Sequence, residues 1–397
     1  MKLIIGAGCV GLSIAYKLLE KYGTAEDIII IDKYNIPTKG TSLRNSGVLH
    51  AGLYYPKGSD KSKLCIQGGE SLFRLCQDNN LPVLNCGKLI VPFNRKDEEN
   101  LERLYLNAKN CGRTVLLIDF KEASKIQPNI RNVNKYLWSP KTSVFEPNKV
   151  LNFFYNKLVD AGAKFLLDSV DEINFEKSCI KTKNHNNLKY SFLFNCAGPG
   201  ALNLAKKKND LYKNLTVLPV LGQYGIIPKK NYLKTNIYPV PDPNLPFLGI
   251  HITPLTDGNI LIGPNAIPVF NKDVQGKELG DLVSLFPNLF YHSKLFLSNS
   301  QNYRMHALNE LTFFVLNKFK DETSKFLDFP DKSIDKMFMS KKNYGIRPQL
   351  YDKEKNKLVD DFMYDIDENS INIVNAVSPA FTSCLALSEK IVKTLSN

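Results

Sequence analysis

Residues 2–32 read KLIIGAGCVGLSIAYKLLEKYGTAEDIIIID, and the reading of this stretch decides the fold. Lys2–Ile5 is an apolar run of the length of one buried parallel strand. Gly6-Ala7-Gly8-Cys9-Val10-Gly11 follows as G-x-G-x-x-G, and Val10, Ile14 and Leu18 then recur on one helical face. A second apolar run, Ile28–Ile31, ends in Asp32. Strand, glycine turn, helix, strand and acid in this order imply a unit that holds a dinucleotide. Gly6 permits the tight turn, Gly8 lets a pyrophosphate approach the backbone, and Gly11 lets helix and strand pack closely. The helix N-terminus offers free N–H groups and partial positive charge to phosphate. Asp32 lies about 20 residues past Gly11, the spacing at which an acid accepts hydrogen bonds from ribose hydroxyls. The motif alone does not separate NAD from FAD.

With 397 residues the chain is long enough for two domains. A net charge of +13 favours anionic partners: a carboxylate, a nucleotide pyrophosphate or acidic lipid headgroups. The basic residues are spread, as in Lys206-Lys207-Lys208 and Lys229-Lys230, and no nucleic-acid motif accompanies them, so nucleic acid is not an expected partner. Eight cysteines are scattered without C-x-x-C or zinc-type spacing, which predicts reduced thiols and no metal site. No apolar run approaches the roughly 18 residues of a membrane span. A strand starting at residue 2 leaves no room for a cleaved leader. The expectation is a cytoplasmic protein, with peripheral contact at the inner face of an anionic membrane as the most that its charge supports.

Further along, the α/β pattern returns at intervals. Residues 1–85, 143–215 and 335–397 read as one discontinuous nucleotide-binding domain. Residues 86–142 and 216–334 read as a second domain of mostly antiparallel strands with a helical insertion from Lys272 to Asp331. The predicted fold class is therefore α/β, with two domains wound through each other and a ligand in the crevice between them. Tyr238-Pro239-Val240-Pro241-Asp242-Pro243 is too proline-rich for a central strand and is read as a loop or sheet edge. Lys181–Leu188 reads as a polar hairpin carrying His185.

Several stretches resemble a known family. RNSGVLHAGLYY (44–55), CGKLI (86–90), YPVPDPNLPFLGIHIT (238–253), GPNA (263–266), GIRPQL (345–350) and NAVSPAFTS (375–383) are similar to the L-2-hydroxyglutarate dehydrogenase/oxidase group. That group belongs to the FAD-dependent, D-amino-acid-oxidase-like superfamily, and the similarity runs the length of the chain, weakest over 267–334. The resemblance implies a Rossmann-like domain that binds FAD through Gly6, Gly8, Gly11 and Asp32. It further implies flavin-nucleotide contacts from Thr41, Ser42, Asn45, Val170, Ala197, Gly198, Gly345, Arg347, Pro379, Ala380 and Thr382. The expected substrate is a small anionic 2-hydroxy acid, and the electron acceptor is oxygen, a quinone or an electron-transfer protein. In this chain Arg44 replaces a His usual in the family, residues 199–202 depart from its pattern after Ala-Gly, and Phe381 stands where smaller residues are usual.

Oxidising a 2-hydroxy acid by hydride transfer to flavin N5 requires an anchored carboxylate and a base for the hydroxyl proton. An unperturbed histidine, with a pKa of about 6.5, suits the second task. His50, flanked by small residues, and His251, alternating with Ile250 and Ile252 on a predicted strand, are the candidates. Arg347 is the candidate carboxylate anchor, because a planar guanidinium matches a carboxylate with two bonds. Arg44 and Lys88 are candidates for a distal carboxylate, and Tyr55 and Tyr238 for phenolic hydrogen bonds. Two other readings stay open: an amine or amino-acid oxidase of the glycine or sarcosine oxidase kind, and a flavin-binding protein whose catalysis has lapsed.

Overall fold

Leu3 and Ile5 pack into one core and Ile4 into another, so the first strand, Lys2–Ile5, is covered on both faces. A strand of this kind belongs in the middle of a parallel sheet. The computed structural model describes residues 1–34, 40–228, 232–270, 282–314, 316–339 and 344–395. Most of the predicted loop 33–40, Lys229-Lys230 and the start of the predicted insertion at 272–281 lie outside them.

Among the described residues the first sheet has six strands, in the order Met363–Ile366, Ser370–Asn375, Phe192–Asn195, Lys2–Ile5, Ile28–Asp32, Lys164–Leu167. All neighbours run parallel except the edge strand Met363–Ile366. Order reverses at Lys2–Ile5, whose neighbours are Ile28–Asp32 on one side and Phe192–Asn195 on the other. Such a switch point, at the carboxyl ends of the strands, is where open α/β sheets bind ligands. Helix Cys9–Tyr22 covers one face together with Pro147–Asp160 and Ala380–Lys393. Its end is closed by Gly23 in the left-handed region (φ 75°), whose N–H reaches the Leu19 carbonyl.

A second, eight-stranded sheet runs Phe338–Met339, Gly225–Ile227, Ile260–Gly263, His251–Pro254, Asn236–Pro239, Lys88–Val91, Tyr136–Ser139, Leu116–Ile118. Its pairings are antiparallel except that of Asn236–Pro239 with Lys88–Val91. One expectation is corrected here. Tyr238 and Pro239 belong to an interior strand, flanked by Lys88–Val91 and His251–Pro254, and the non-strand stretch begins at Val240. Pro239 is tolerated because it is the strand's last residue, where a missing N–H interrupts little of the ladder. A further sheet has four strands, in the order Ile267–Pro268, Leu215–Gly222, Gly345–Asp352, Lys357–Leu358. Leu215–Gly222 pairs with Gly345–Asp352 along all eight residues, from Leu215 opposite Asp352 to Gly222 opposite Gly345.

Candidate active site

At the switch point the glycines meet the demands placed on them. Gly6 has φ +103°, and a Cβ there would stand 2.3 Å from the Cys196 carbonyl oxygen. A Cβ on Gly11 would stand 1.9 Å from the Gly6 carbonyl oxygen, so helix and turn approach as closely as backbone allows. Around Gly8 the nearest atom to a Cβ would be Ser42 Oγ, at 3.0 Å. Beside the neighbouring strand, Gly198 has φ +54° and open space around its Cβ position. Asp32 accepts the Ala7 N–H on Oδ2 and the Tyr34 N–H on Oδ1, each at 2.8 Å. A carboxylate has about four acceptor sites, so lone pairs remain for ribose hydroxyls. Ser42 Oγ accepts the Cys9 N–H at 3.0 Å, and Asn45 bridges the Ser42 carbonyl and the Gly47 N–H. Thr41 and Ser42 thus lie in a short 3₁₀ turn stapled to the start of the first helix. Open space at Gly198, a Cβ-free close approach at Gly6, Gly8 and Gly11, and an acid one strand away fit a dinucleotide.

The second half of the site forms where the eight-stranded sheet meets the stretch after Val48–Leu49. His50 leaves that strand with its backbone N–H on Thr382 Oγ1 (3.3 Å), while its carbonyl accepts Cys65 Sγ (3.2 Å). The Thr382 hydroxyl in turn donates to the Val48 carbonyl at 3.2 Å. The side chain of Thr382 is therefore committed to holding His50. His251 opens its strand opposite Tyr238, and the two rings stack at 4.0 Å and 18°. Ile250 and Ile252 point into the core on the other face, as the alternation predicts. Lys88, on the strand beyond Tyr238, is fully buried. Its ammonium donates to Tyr54 Oη at 3.2 Å and lies 4.7 and 4.6 Å from the ring centres of Tyr54 and Tyr238.

Arg347 reaches the same region from the strand Gly345–Asp352, its guanidinium 5.3 Å from the ring centre of Phe247. Among the described residues no carboxylate lies within ion-pair distance of Arg347 or Lys88. Among the described residues the acidic groups whose charge Arg347 feels are the Tyr224 phenol and then Glu310, which is pushed up to about 7 by burial and bonded to the Ala266 N–H. Burial alone takes Lys88 down to about 7. Burial, then the Lys88 charge, then His251 hold His50 at about 3. Burial, opposed by a bond to the Gly249 carbonyl and reinforced by Lys88 and Arg347, holds His251 at about 3 as well. Both imidazoles are thus neutral near neutral pH, in the proton-accepting form. His50 Nδ1 and Tyr238 Oη are buried without a hydrogen-bond partner among the described residues.

The structure therefore gathers His50, His251, Lys88 and Arg347 into one electrostatically coupled group, with the Tyr238 ring between His251 and the Lys88 ammonium. Arg44 packs at the start of the strand that carries Arg347: its guanidinium donates to the Tyr344 carbonyl (3.1 Å) and its Cβ lies against Gly345. Tyr55 lines the same region, but its neighbour Tyr54 meets Lys88. Sequence reasoning missed Tyr54, Tyr224, Phe247 and Glu310; the first and third lie within stretches that carry the resemblance without being singled out there, and the other two lie outside any motif. Val170 begins a separate three-stranded sheet just after the edge strand Lys164–Leu167. His185 lies half out in its hairpin beside Asp168, and His306 bonds the Ala266 carbonyl.

His50, His251, His292 and His306 are all held low, at about 3, 3, 4 and 4, chiefly by burial. The unfolded chain binds protons on them below about 6.5, and the folded chain does not until the lower values are reached. The stability tied to these four histidines is therefore complete above 6.5 and lost as pH falls toward 3. Urea unfolding is expected at a lower midpoint at pH 5 than at pH 7.5.

The family model described as FAD dependent oxidoreductase matches residues 3–309. The L-2-hydroxyglutarate dehydrogenase of Indibacter alkaliphilus is 30% identical over 97% of this chain and 96% of its own length. That of Escherichia coli is 28% identical over 98% of this chain and 92% of its own. Among solved structures, the dithionite-reduced L-α-glycerophosphate oxidase of Mycoplasma pneumoniae with FAD bound matches with a TM-score of 0.74 at 20% identity. It covers 99% of this chain and 93% of its own. A glycine oxidase from Geobacillus kaustophilus reaches 0.73 at 16% identity, over 99% and 93%. At these identities the structural likeness establishes the fold.

Proposed function

The chain belongs to the FAD-dependent oxidoreductase family, and from that premise we propose that it oxidises L-2-hydroxyglutarate, or a close 2-hydroxy acid, to the 2-oxo acid. The observation that carries this reading is the pair of cations, Arg347 and Lys88, that have no carboxylate within ion-pair distance among the described residues and whose charges both reach His251. Burying one unpaired charge is costly. A fully buried Lys88 and a half-buried Arg347 beside neutral imidazoles fit a substrate that brings two negative charges and a hydroxyl. The relatives' names point to the same dicarboxylate.

FAD is the cofactor of this family and, when bound, supplies the two-electron oxidant. The glycine turn, Asp32, Ser42, Asn45 and the backbone at Ala197-Gly198 would hold its nucleotide portion. Thr41, Val170, Gly345 and the Pro379–Thr382 turn are proposed to complete the contacts. Arg347 anchors the carboxylate beside the carbon that is oxidised, with two parallel N–H···O bonds. Lys88 meets the distal carboxylate. His50 accepts the hydroxyl proton, and the hydroxyl gives its unpartnered Nδ1 a bond. The bound dianion also offsets the part that Lys88 and Arg347 add to the burial that holds both imidazoles near 3, so substrate binding itself raises the strength of the base.

Anaerobic mixing of the holoenzyme with candidate substrates, read by the visible flavin band, tests this. L-2-hydroxyglutarate is expected to bleach it at low concentration, L-lactate only at high concentration, and glycine or sarcosine not at all. In Lys88→Met the half-saturating L-2-hydroxyglutarate concentration rises roughly 10- to 100-fold, the worth of one charge-assisted bond, while that of L-lactate stays within about threefold. The half-saturating concentration of the dicarboxylate also rises as pH passes upward through about 7, where free Lys88 loses its proton, and this rise is missing in the variant. No bleaching by L-2-hydroxyglutarate overturns the substrate. Bleaching by glycine or sarcosine instead assigns the protein to amine oxidation.

A further inference from the structure

A short turn between two sheets has the N–H and the carbonyl of one residue taken by side chains of a single helix. Residues 263–266 leave the strand Ile260–Gly263 of the eight-stranded sheet and enter Ile267–Pro268 of the four-stranded one. Gly263 stands opposite His251 in the register. On the helix Tyr303–Leu311, His306 and Glu310 lie four residues apart and so share a face, and both are buried. Glu310 Oε2 accepts the Ala266 N–H at 2.6 Å, and His306 Nε2 donates to the Ala266 carbonyl at 2.9 Å. A carbonyl only accepts, so Nε2 carries the hydrogen and Nδ1 of the neutral ring is bare. That nitrogen faces Glu310 Oε1 at 4.0 Å. Two bare acceptors repel, whereas a neutral carboxyl can turn its proton toward Nδ1. Burial pushes Glu310 up to about 7, which favours the neutral form on the acid side of that value.

From this clamp the contacts lead to Arg347. The His306 ring lies 5.0 Å from that of Phe247, and the Arg347 guanidinium lies 5.3 Å from the centre of the same ring. Phe247 belongs to a stretch outside any helix or strand, so the side chains around it fix where its ring sits. Arg347 meets that ring where it has no carboxylate to hold it. Two parallel bonds to a carboxylate depend on the orientation of the guanidinium plane as well as on its charge. We propose that Glu310 and His306 are positioning residues for Arg347: they grip Ala266, seat Phe247 against the guanidinium, and so hold its fork in the geometry that receives the substrate carboxylate. The inference rests on the reading of Arg347 as the carboxylate anchor.

Anaerobic flavin reduction in the holoenzyme at a pH of about 6.5, where the neutral acid predominates, tests it. In Glu310→Ala the half-saturating concentration is expected to rise at least about tenfold for L-2-hydroxyglutarate and L-lactate alike, with the limiting rate within about threefold of the wild type. The shared rise is the signature, because both acids present a carboxylate to Arg347, whereas Lys88→Met acts on the dicarboxylate. Glu310→Gln should bring half-saturation back to within about threefold, since Gln offers an acceptor to the Ala266 N–H and an N–H toward His306 Nδ1. Phe247→Leu, on the other side of the ring contact, should reproduce the shared rise, and it decides the matter if Glu310→Ala does not retain flavin. The proposal is overturned if half-saturation in these two variants stays within about threefold of the wild type, or if the limiting rate falls instead. It is overturned equally if Glu310→Gln is as impaired as Glu310→Ala, or if L-2-hydroxyglutarate alone is affected. Failure of the substrate reading looks different: L-2-hydroxyglutarate then leaves the wild-type flavin oxidised, and the variants are compared on the carboxylate that does reduce it.

Discussion

Replacing Arg347 by Gln is expected to lower kcat/KM for the 2-hydroxy acid by about 10²–10³-fold while flavin stays bound. The side chain projects from a strand paired along its whole length with Leu215–Gly222, so its backbone is fixed before substrate arrives. Its guanidinium lies over Phe247 with no carboxylate in ion-pair reach among the described residues, and burial presses its pKa down. The cost of holding that charge is already met by the fold, and a substrate carboxylate releases it. Removing the charge from one partner of a buried, hydrogen-bonded pair costs about 2–5 kcal/mol, which sets the size of the effect. Arg347→Lys should recover part of it, because an ammonium keeps the charge and loses the fork. Anaerobic reduction over a range of substrate concentrations measures both. An unchanged half-saturating concentration in Arg347→Gln would remove the residue from carboxylate binding.

His50→Ala is expected to slow flavin reduction at saturating substrate by about 10²–10⁴-fold, the usual contribution of a positioned base. Two imidazoles share the site, and their bonding separates them. His251 lies flat on Tyr238 with Nδ1 on the Gly249 carbonyl, so its ring is held in place by protein groups. His50 is held by its backbone, through Thr382 and Cys65, and leaves Nδ1 buried and unpartnered. An unmet buried nitrogen costs about 1–3 kcal/mol, which a substrate hydroxyl donating to it regains. His251→Phe, which keeps the stack, should then act mainly on half-saturation and cost less than about tenfold in limiting rate. The reverse ranking would make His251 the base. The pH profile carries the same content. With His50 near 3, kcat/KM should hold on the acid side well below the 6.5 of an ordinary histidine, whereas an ordinary base would fail there.

Legibility was uneven, and for physical reasons. Val10, Ile14 and Leu18 announce their helix because a 3.6-residue period must place a buried face on one side. Ile250 and Ile252 announce the direction of His251 because a strand has period two. Tyr238-Pro239 misled, since proline frequency says nothing about which neighbours flank a strand whose last residue is the proline. Lys88 was recognised as a cation, but not as one enclosed by Tyr54 and Tyr238. Tyr54 and Tyr55 carry the same local signal, and only the packing of their loop against the sheet separates them. Arg44 is a cation in the stretch most like the family, yet its partner is a carbonyl some 300 residues away.

By itself, then, the order of residues determined what is local: the glycine turn, the acid at the end of the second strand, the helical and strand periods, and two histidines of the right kind. Tertiary structure alone decided which side chains share a cavity and which are left without partners. His50, Lys88, His251 and Arg347 meet because three sheets converge; burial depresses the basicity of all four, and neighbouring positive charge adds to it at the two histidines. Desolvation and Coulomb interaction depend on distance in space, and no spacing along the chain encodes them.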